Sequence, residues 1–542
     1  MPNTKNTAKT GVVKEKTHRG KSLEGESPKG LSFNPAEPEV LAMGADLQFD
    51  RPRPATTRYP IGLEAFQSLK DEALLNTKAV TVAKSESTIV NDKSQKTSAL
   101  ADEAAVLEAV GAPLSSGPVT TAPSLLVSFP GISATGWFPP DCTLAAGPNH
   151  VLLSVNAAVS IYSKTGGAPA LTKTLTSWFS NVIANAKIFD PKALYDQHAG
   201  RWILLAVALG PGANESYFLL SISKTSNPTG GWWNYKIDAT KDGTTATSNW
   251  ADYPSIGVDS QALYLSANMF KFGGGYAYAK IRIIPKAGPY SGGALSFRDF
   301  VKMKNADGSL AFTIQPCHTY GAPGTQYLVN SIFPSGNKLS LWSITNPTTT
   351  PTLTLRTVTV SPYSLPPDAA QKGGGTPLDS GDIRVLNAVF RGGSVWCALT
   401  TAHNFGAGNV SAIHWFQINA PTGSLTQQGI YGSGALHYYY PAVMPDSNGN
   451  MTMVFCRSGT SEFASIFYTG RKAPDPPGKL QASAPLKAGT ANYVKLDGIG
   501  RNRWGDYAGI GSDPADSLRV WFYSMYAVAG NNWATQVGSS KF

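Results

Sequence analysis

Three groups of residues in this chain have the types and spacing that chemistry requires. Asp190, Asp252, Asp382 and Asp506 stand at matching places in four segments of the chain. Such carboxylates can ring a calcium ion with oxygen ligands, or act in pairs on a glycosidic bond. Arg384, Arg457, Arg501 and Arg503 form a second group, able to clamp a carboxylate or sulfate bidentately. His318, His403 and His437 form the third; imidazoles near neutrality serve as general bases or metal ligands. With them, Tyr507 and Asp506 are candidates for moving a proton, and Trp250, Tyr253 and Trp504 for stacking against a sugar ring. Each group also has a plainer use. An Asp at a strand start caps a turn, an aromatic packs between sheets, and a lone His is structural.

The elements that must position these residues are short. From about Ser124 onward, β-branched and aromatic runs are broken by Gly, Pro, Asn and Asp, the pattern of strands and turns. A unit recurs, starting at Asp141, Asp190, Asp252, Pro316, Asp382, Tyr440 and Asp506, 49 to 66 residues apart. Its second strand is the clearest part: VLLSVNAAV, WILLAVALG, LYLSANMF, YLVNSIF, VWCALTTA, MVFCRSG and VWFYSMYA. Repeats of four strands arranged radially protect their own edges. The reading is an all-β fold, a seven-bladed β-propeller over 121–542, with six blades as the alternative if one unit is misread. The last unit ends after its third strand, NWATQVGSSKF, so SLLVSFPGI at 124–132 is expected to supply its fourth.

Strands of a blade alternate in direction. Loops before first strands and loops after second strands therefore share one mouth. That mouth receives the Asp, Arg, His, Tyr and Trp residues above, together with Asn156, Asn268 and Asn330. The opposite mouth receives mostly Gly, Asn and Asp turns and is expected to be bland.

Residues 1–120 read as a low-complexity, mostly disordered tail with few aromatics. Apolar residues three to four apart at 62–75 and 98–110 predict two short helices within it. The tail carries 15 basic and 15 acidic residues, so the formal charge of +10 belongs entirely to the remainder. A basic surface favours anionic partners. No Lys/Arg-rich run or nucleic-acid module occurs, which makes nucleic acid an unlikely partner and an anionic polysaccharide or glycan the expected one. Cys142, Cys317, Cys397 and Cys456 are too widely spaced for zinc, and Cys397 with Cys456 is the one pair suggesting a bridge. No apolar run is long enough to span a membrane, and no standard secretory leader opens the sequence. G-x-S-x-G and P-loop motifs are absent.

The strings AGPNH, DPKALYDQHAGRW, NWADYPSIGVD, YYYPAVMPDSNGN and RWGDYAGIGSDPAD resemble those of a broad group of bacterial, mostly exported β-propeller proteins, loosely sialidase-like or BNR-like. The resemblance covers about 130–540 and implies an extracellular or cell-surface location; a cytoplasmic one also stays open. The S-x-D-x-G-x-x-W box of sialidases occurs at no turn, and IRIIP at 281–285 follows a third strand. No catalytic residue is carried over. The leading expectation is a propeller that binds, and as a lyase or glycoside hydrolase cleaves, anionic carbohydrate at its polar mouth. The alternatives are a non-catalytic binding or scaffold propeller whose tail docks a protein partner or directs export, and a calcium-dependent esterase or lactonase.

Overall fold

A computed structural model describes residues 121–498 and 500–542. The expected tail, with its two helices, lies outside the described residues. The remainder is an all-β propeller. Five of its sheets are separate, four-stranded and antiparallel. A nine-stranded sheet contains two further four-stranded runs, 249–301 and 387–431, joined through the two-residue strand His318–Thr319. That short strand pairs in parallel with Val258 on one side and with Val389 and Phe390 on the other.

In each run the first strand lines the central channel and the later strands lie progressively outward. Second strands are covered on both faces by neighbouring sheets, which explains their unbroken apolar sequences. Ile203–Ala208 in Arg201–Leu209, for example, is wholly buried. Outer strands alternate instead, as in Thr352–Ser364, because one face meets water. VLLSVNAAV is the exception to its expected reading. Ala157, at φ 76°, turns the chain there, giving two strands, His150–Val155 and Ala158–Ser163.

The closing strand forms as expected. Ser124–Pro130 pairs antiparallel with Asn532–Lys541, becoming the outermost strand of the sheet that also holds Gly509–Ser512 and Val520–Val528. All four cysteines are free and buried. The suggested Cys397–Cys456 bridge is therefore not formed: Cys397 packs in the cluster containing Cys317, and Cys456 in the one containing Cys142.

Two devices recur around the ring. At the start of the inner strands, Asp190, Tyr253, Thr313 and Tyr440 all have left-handed backbones, φ 48° to 53°, a strained choice for side chains of this size. Their N–H groups leave the ladder and need acceptors. The acceptors come from side chains of the preceding unit: Asn156 Oδ1 for Asp190, Asp190 Oδ2 for Tyr253, Asn268 Oδ1 for Thr313 and Thr400 Oγ1 for Tyr440, at 2.8 to 3.3 Å. At the far end of the inner strands, Asp196, Asp259, Asp446 and Asp513 cap the turn by accepting a backbone N–H two residues on. The plainer use of Asp thus applies to these four, which lie in segments whose sequences read as turns, and to Asp382, which accepts from the Arg384 N–H at 2.7 Å.

Candidate functional site

The strand-start mouth is built from loops and bulges. Register shifts between Phe189 and Lys192, and between Asp252 and Ser255, break the ladders. They set Asp190, Asp252 and Tyr253 facing a cavity of about 70 Å³. Asp141, Asn156, Arg384, Arg503 and Asp506 line it too, with Trp137, Phe138, Phe189, Trp250 and Phe270 as apolar wall.

The carboxylates here are crowded and dry. Burial, then the Asp506 charge, pushes Asp141 up to about 8. Its Oδ2 accepts from Asn156 Nδ2 at 2.7 Å, while its buried Oδ1 has no hydrogen-bond partner. Asp190 is raised well above the carboxylate range by burial and by Asp252. Asp252 rises to about 6, again through burial first and the Asp506 charge second. Asp506 is held differently: both its oxygens accept from Arg503 Nη2, at 2.9 and 2.8 Å. The mouth therefore holds carboxyl groups in contrasting surroundings, which is how one site keeps an acid and its conjugate base together.

The arginines were expected to clamp a substrate's acidic group. Each is instead held by a carboxylate of the chain itself. Arg384 pairs with Asp382 at 2.9 Å, Arg503 with Asp379 and Asp506, Arg501 with Asp379 and Asp497, and Arg457 with Glu462 at 2.7 Å. Burial alone would lower Arg384, but Asp382 holds it above the ordinary value. Its guanidinium also covers the Tyr253 ring, 4.0 Å from the centroid. Arg457 lies against Phe467, 3.4 Å from that ring's centroid, and lines neither cavity described here.

The four aspartates proposed as a calcium ring divide. Asp190, Asp252 and Asp506 share the cavity, whereas Asp382 is committed to Arg384. Among the described residues no three His, Cys, Asp or Glu side chains are grouped as a metal site. The histidines are not brought together either. His318 Nε2 lies 2.8 Å from Gln197 Oε1, its ring stacked on Tyr320, and burial drops it to about 3. His403 packs edge-on against Phe405, and His437 Nδ1 accepts from the Ser411 N–H. A neutral, sequestered His318 supplies no base to the carboxylate mouth.

Of the aromatics, Trp250 and Tyr253 line the cavity, but both are buried, as is Trp504. Trp504 packs edge-on against Tyr493 in the core. The Tyr507 hydroxyl donates to Pro191 O at 2.9 Å, and its ring carries Lys192 Nζ 2.9 Å from the centroid. Sequence reasoning missed Lys192 and Asp379. Lys192 follows Asp190 by two residues, on the same inner strand, and that repeat register was the available signal. Asp379 had none.

The opposite end of the channel is not bland. A cavity of about 470 Å³ runs along the inner strands toward their far ends, lined by Lys192, Gln197, His318, Tyr320, Arg391 and Tyr507 among others.

No protein-family description matches the chain, and no curated protein matches it. Solved structures do. A protein of unknown function from Dyadobacter fermentans is 9% identical, with a TM-score of 0.38, covering 65% of this chain and 94% of that one. The GH93 alpha-L-arabinofuranosidase of Fusarium graminearum is 10% identical, TM-score 0.33, covering 78% and 98%. The Trypanosoma rangeli sialidase in complex with sialic acid is 9% identical, TM-score 0.34, covering 71% and 57%. The case for the chain's fold and chemistry rests on its own strands and side chains.

Proposed function

We propose that this chain is a seven-bladed propeller that binds a glycan at its strand-start mouth and cleaves a glycosidic bond there. Seven blades follow from counting each four-stranded run of the nine-stranded sheet as one blade, with His318–Thr319 as the bridge between them. Asp252 is the general acid and Asp506, held by Arg503, its partner, either activating water or attacking the sugar directly. One observation carries this assignment: the two line the same cavity, and the Asp506 charge is the foremost charge acting to keep a proton on Asp252. Proton abstraction beside a uronate, the lyase chemistry, fits less well, because the histidines lie elsewhere and the arginines are already paired. For the same reason a neutral sugar suits this mouth better than an acidic one.

The test is hydrolysis of a panel of neutral and acidic aryl glycosides. Asp252→Asn and Asp506→Asn should each lower kcat by about 10²- to 10⁴-fold, the usual contribution of a positioned acid or base, with little change in KM. Full activity in either variant removes the assignment. A second reading, a non-catalytic scaffold propeller that takes no sugar at this mouth, is favoured by the size of the space there. About 70 Å³ is room for roughly two waters rather than a sugar ring. In that reading residues 1–120 serve as a docking or export address.

A further inference from the structure

The 470 Å³ cavity in the channel falls in the range of small-molecule sites, roughly 300–1,000 Å³, and its charge differs from that of the carboxylate mouth. Its charged lining residues are Lys192, Arg391 and Asp513. Asp513 is already matched: Lys164 Nζ lies 2.6 Å from its Oδ1, and Trp521 Nε1 donates to its Oδ2 at 2.9 Å.

Neither cation is matched in this way. Arg391 donates from Nη1 alone, to Pro445 O at 3.0 Å and Ser512 Oγ at 3.1 Å, while its guanidinium lies over the Tyr320 ring, 4.7 Å from the centroid. It makes no ion pair among the described residues. Lys192 likewise has neither an ion pair nor a hydrogen bond there, and rests on the rings of Tyr507 and Tyr253, at 2.9 and 5.1 Å. All four arginines singled out from the sequence are paired, so these two stand apart. Burial brings the Lys192 amine down to about 7, against the charges of Asp190, Asp141 and Asp506 that favour its protonation. An anion arriving from the cavity adds to that second influence.

Neutral groups suited to a sugar line the same space. Gln197, Gln315, Asn387 and Thr143 line it with amides and a hydroxyl, already bonded to Thr319, Ser255, Val443 and Ala193 but each with an oxygen able to accept once more. His318 is held neutral in its stack on Tyr320 and its contact with Gln197, so it contributes no charge.

We propose that the central cavity binds a small sugar bearing a carboxylate or sulfate, with Arg391 and Lys192 neutralising the acidic group. The site adjoins the carboxylate mouth through Lys192, whose amine lies against the Tyr253 ring, and does not require hydrolysis there. On this proposal the preference for anionic carbohydrate belongs to the channel rather than to the paired arginines of the mouth.

Calorimetric titration of the full chain carrying Asp252→Asn, which blocks turnover, tests the site with galacturonate, galactose and sulfate. Galacturonate should bind at least 10-fold more tightly than galactose. Arg391→Gln should weaken it by about 10- to 100-fold, the range for hydrogen bonds to a charged group, and Arg391→Lys should restore part of the loss. Competition by sulfate marks a site that accepts oxyanions generally; its absence marks one that reads the sugar carboxylate. Should Arg391→Gln fail to melt cooperatively, Lys192→Met replaces it with the same expected loss. Equal affinity for galacturonate and galactose, or unchanged affinity in a folded Arg391→Gln protein, overturns the proposal.

Discussion

The backbone N–H of Asp190 donates to Asn156 Oδ1 at 2.8 Å. The other end of the same amide donates to the Asp141 carboxylate at 2.7 Å and to Pro139 O at 3.0 Å. One buried side chain thus satisfies a strained backbone position in the next unit and a carboxyl group in its own.

Replacing Asn156 by Ala should therefore cost about 1–3 kcal/mol, the penalty for buried polar groups left without partners. Denaturant melts give the number. Asn156→Asp should be worse, since it adds a charge beside Asp141. If Asn156→Ala unfolds at the wild-type midpoint, the latch contributes nothing.

Asp141 also predicts a pH dependence of stability. Its folded pKa of about 8 lies above the unfolded value of 3.8, so the fold holds a proton that the unfolded chain has released. Folding takes up protons across that window, and stability falls as pH rises through it. Asp141→Asn should flatten the decline between pH 5 and about 8, measured as midpoint against pH. An unaltered slope assigns the decline to other groups.

Turnover should respond in the same direction for a different reason. Asp252 acts as an acid only while protonated, and burial with the Asp506 charge sets it near 6. Activity on a glycoside is expected to fall as pH rises above about 6. A kcat that climbs from pH 6 to 8 would show Asp252 to be something other than the proton donor.

Removing Ser124–Pro130 should destabilise the propeller far more than removing residues 1–120. Without it, Asn532–Lys541 presents an unpaired edge and the sheet loses a quarter of its strands. Equal midpoints for the two truncations would sink the closure argument.

What could be read in advance followed burial. The second strands stood out because both faces are covered, so their apolar runs are continuous, and the closing strand stood out because the final unit was one strand short. Asp190 and Asp252 were legible through repetition. Arg501 and Arg503 were legible as a pair but not in purpose, since Asp379, which binds both, lies 122 and 124 residues away. His318 was misplaced because it occupies an extra two-residue strand with no counterpart in the other units. Lys192 escaped notice for a related reason. One lysine on an alternating strand reads as solvent-facing, and only ring closure turns that side toward a channel.

Pairing the strand at Ser124–Pro130 with the one at Asn532–Lys541 also sets an order of events during synthesis. The first strand emerges from the ribosome long before its neighbour exists. Translation at about 5–20 residues per second leaves it waiting roughly 20–80 seconds. Through that interval SLLVSFP, with Leu125 and Leu126 still exposed even in the finished ring, is an apolar strand with no ladder to join. The intermediate units can fold in turn as they appear, but the circle closes only once the final strand is free. A nascent chain of this design is therefore most open to aggregation late, and shielding of its first strand by a chaperone should matter more than help with any later blade.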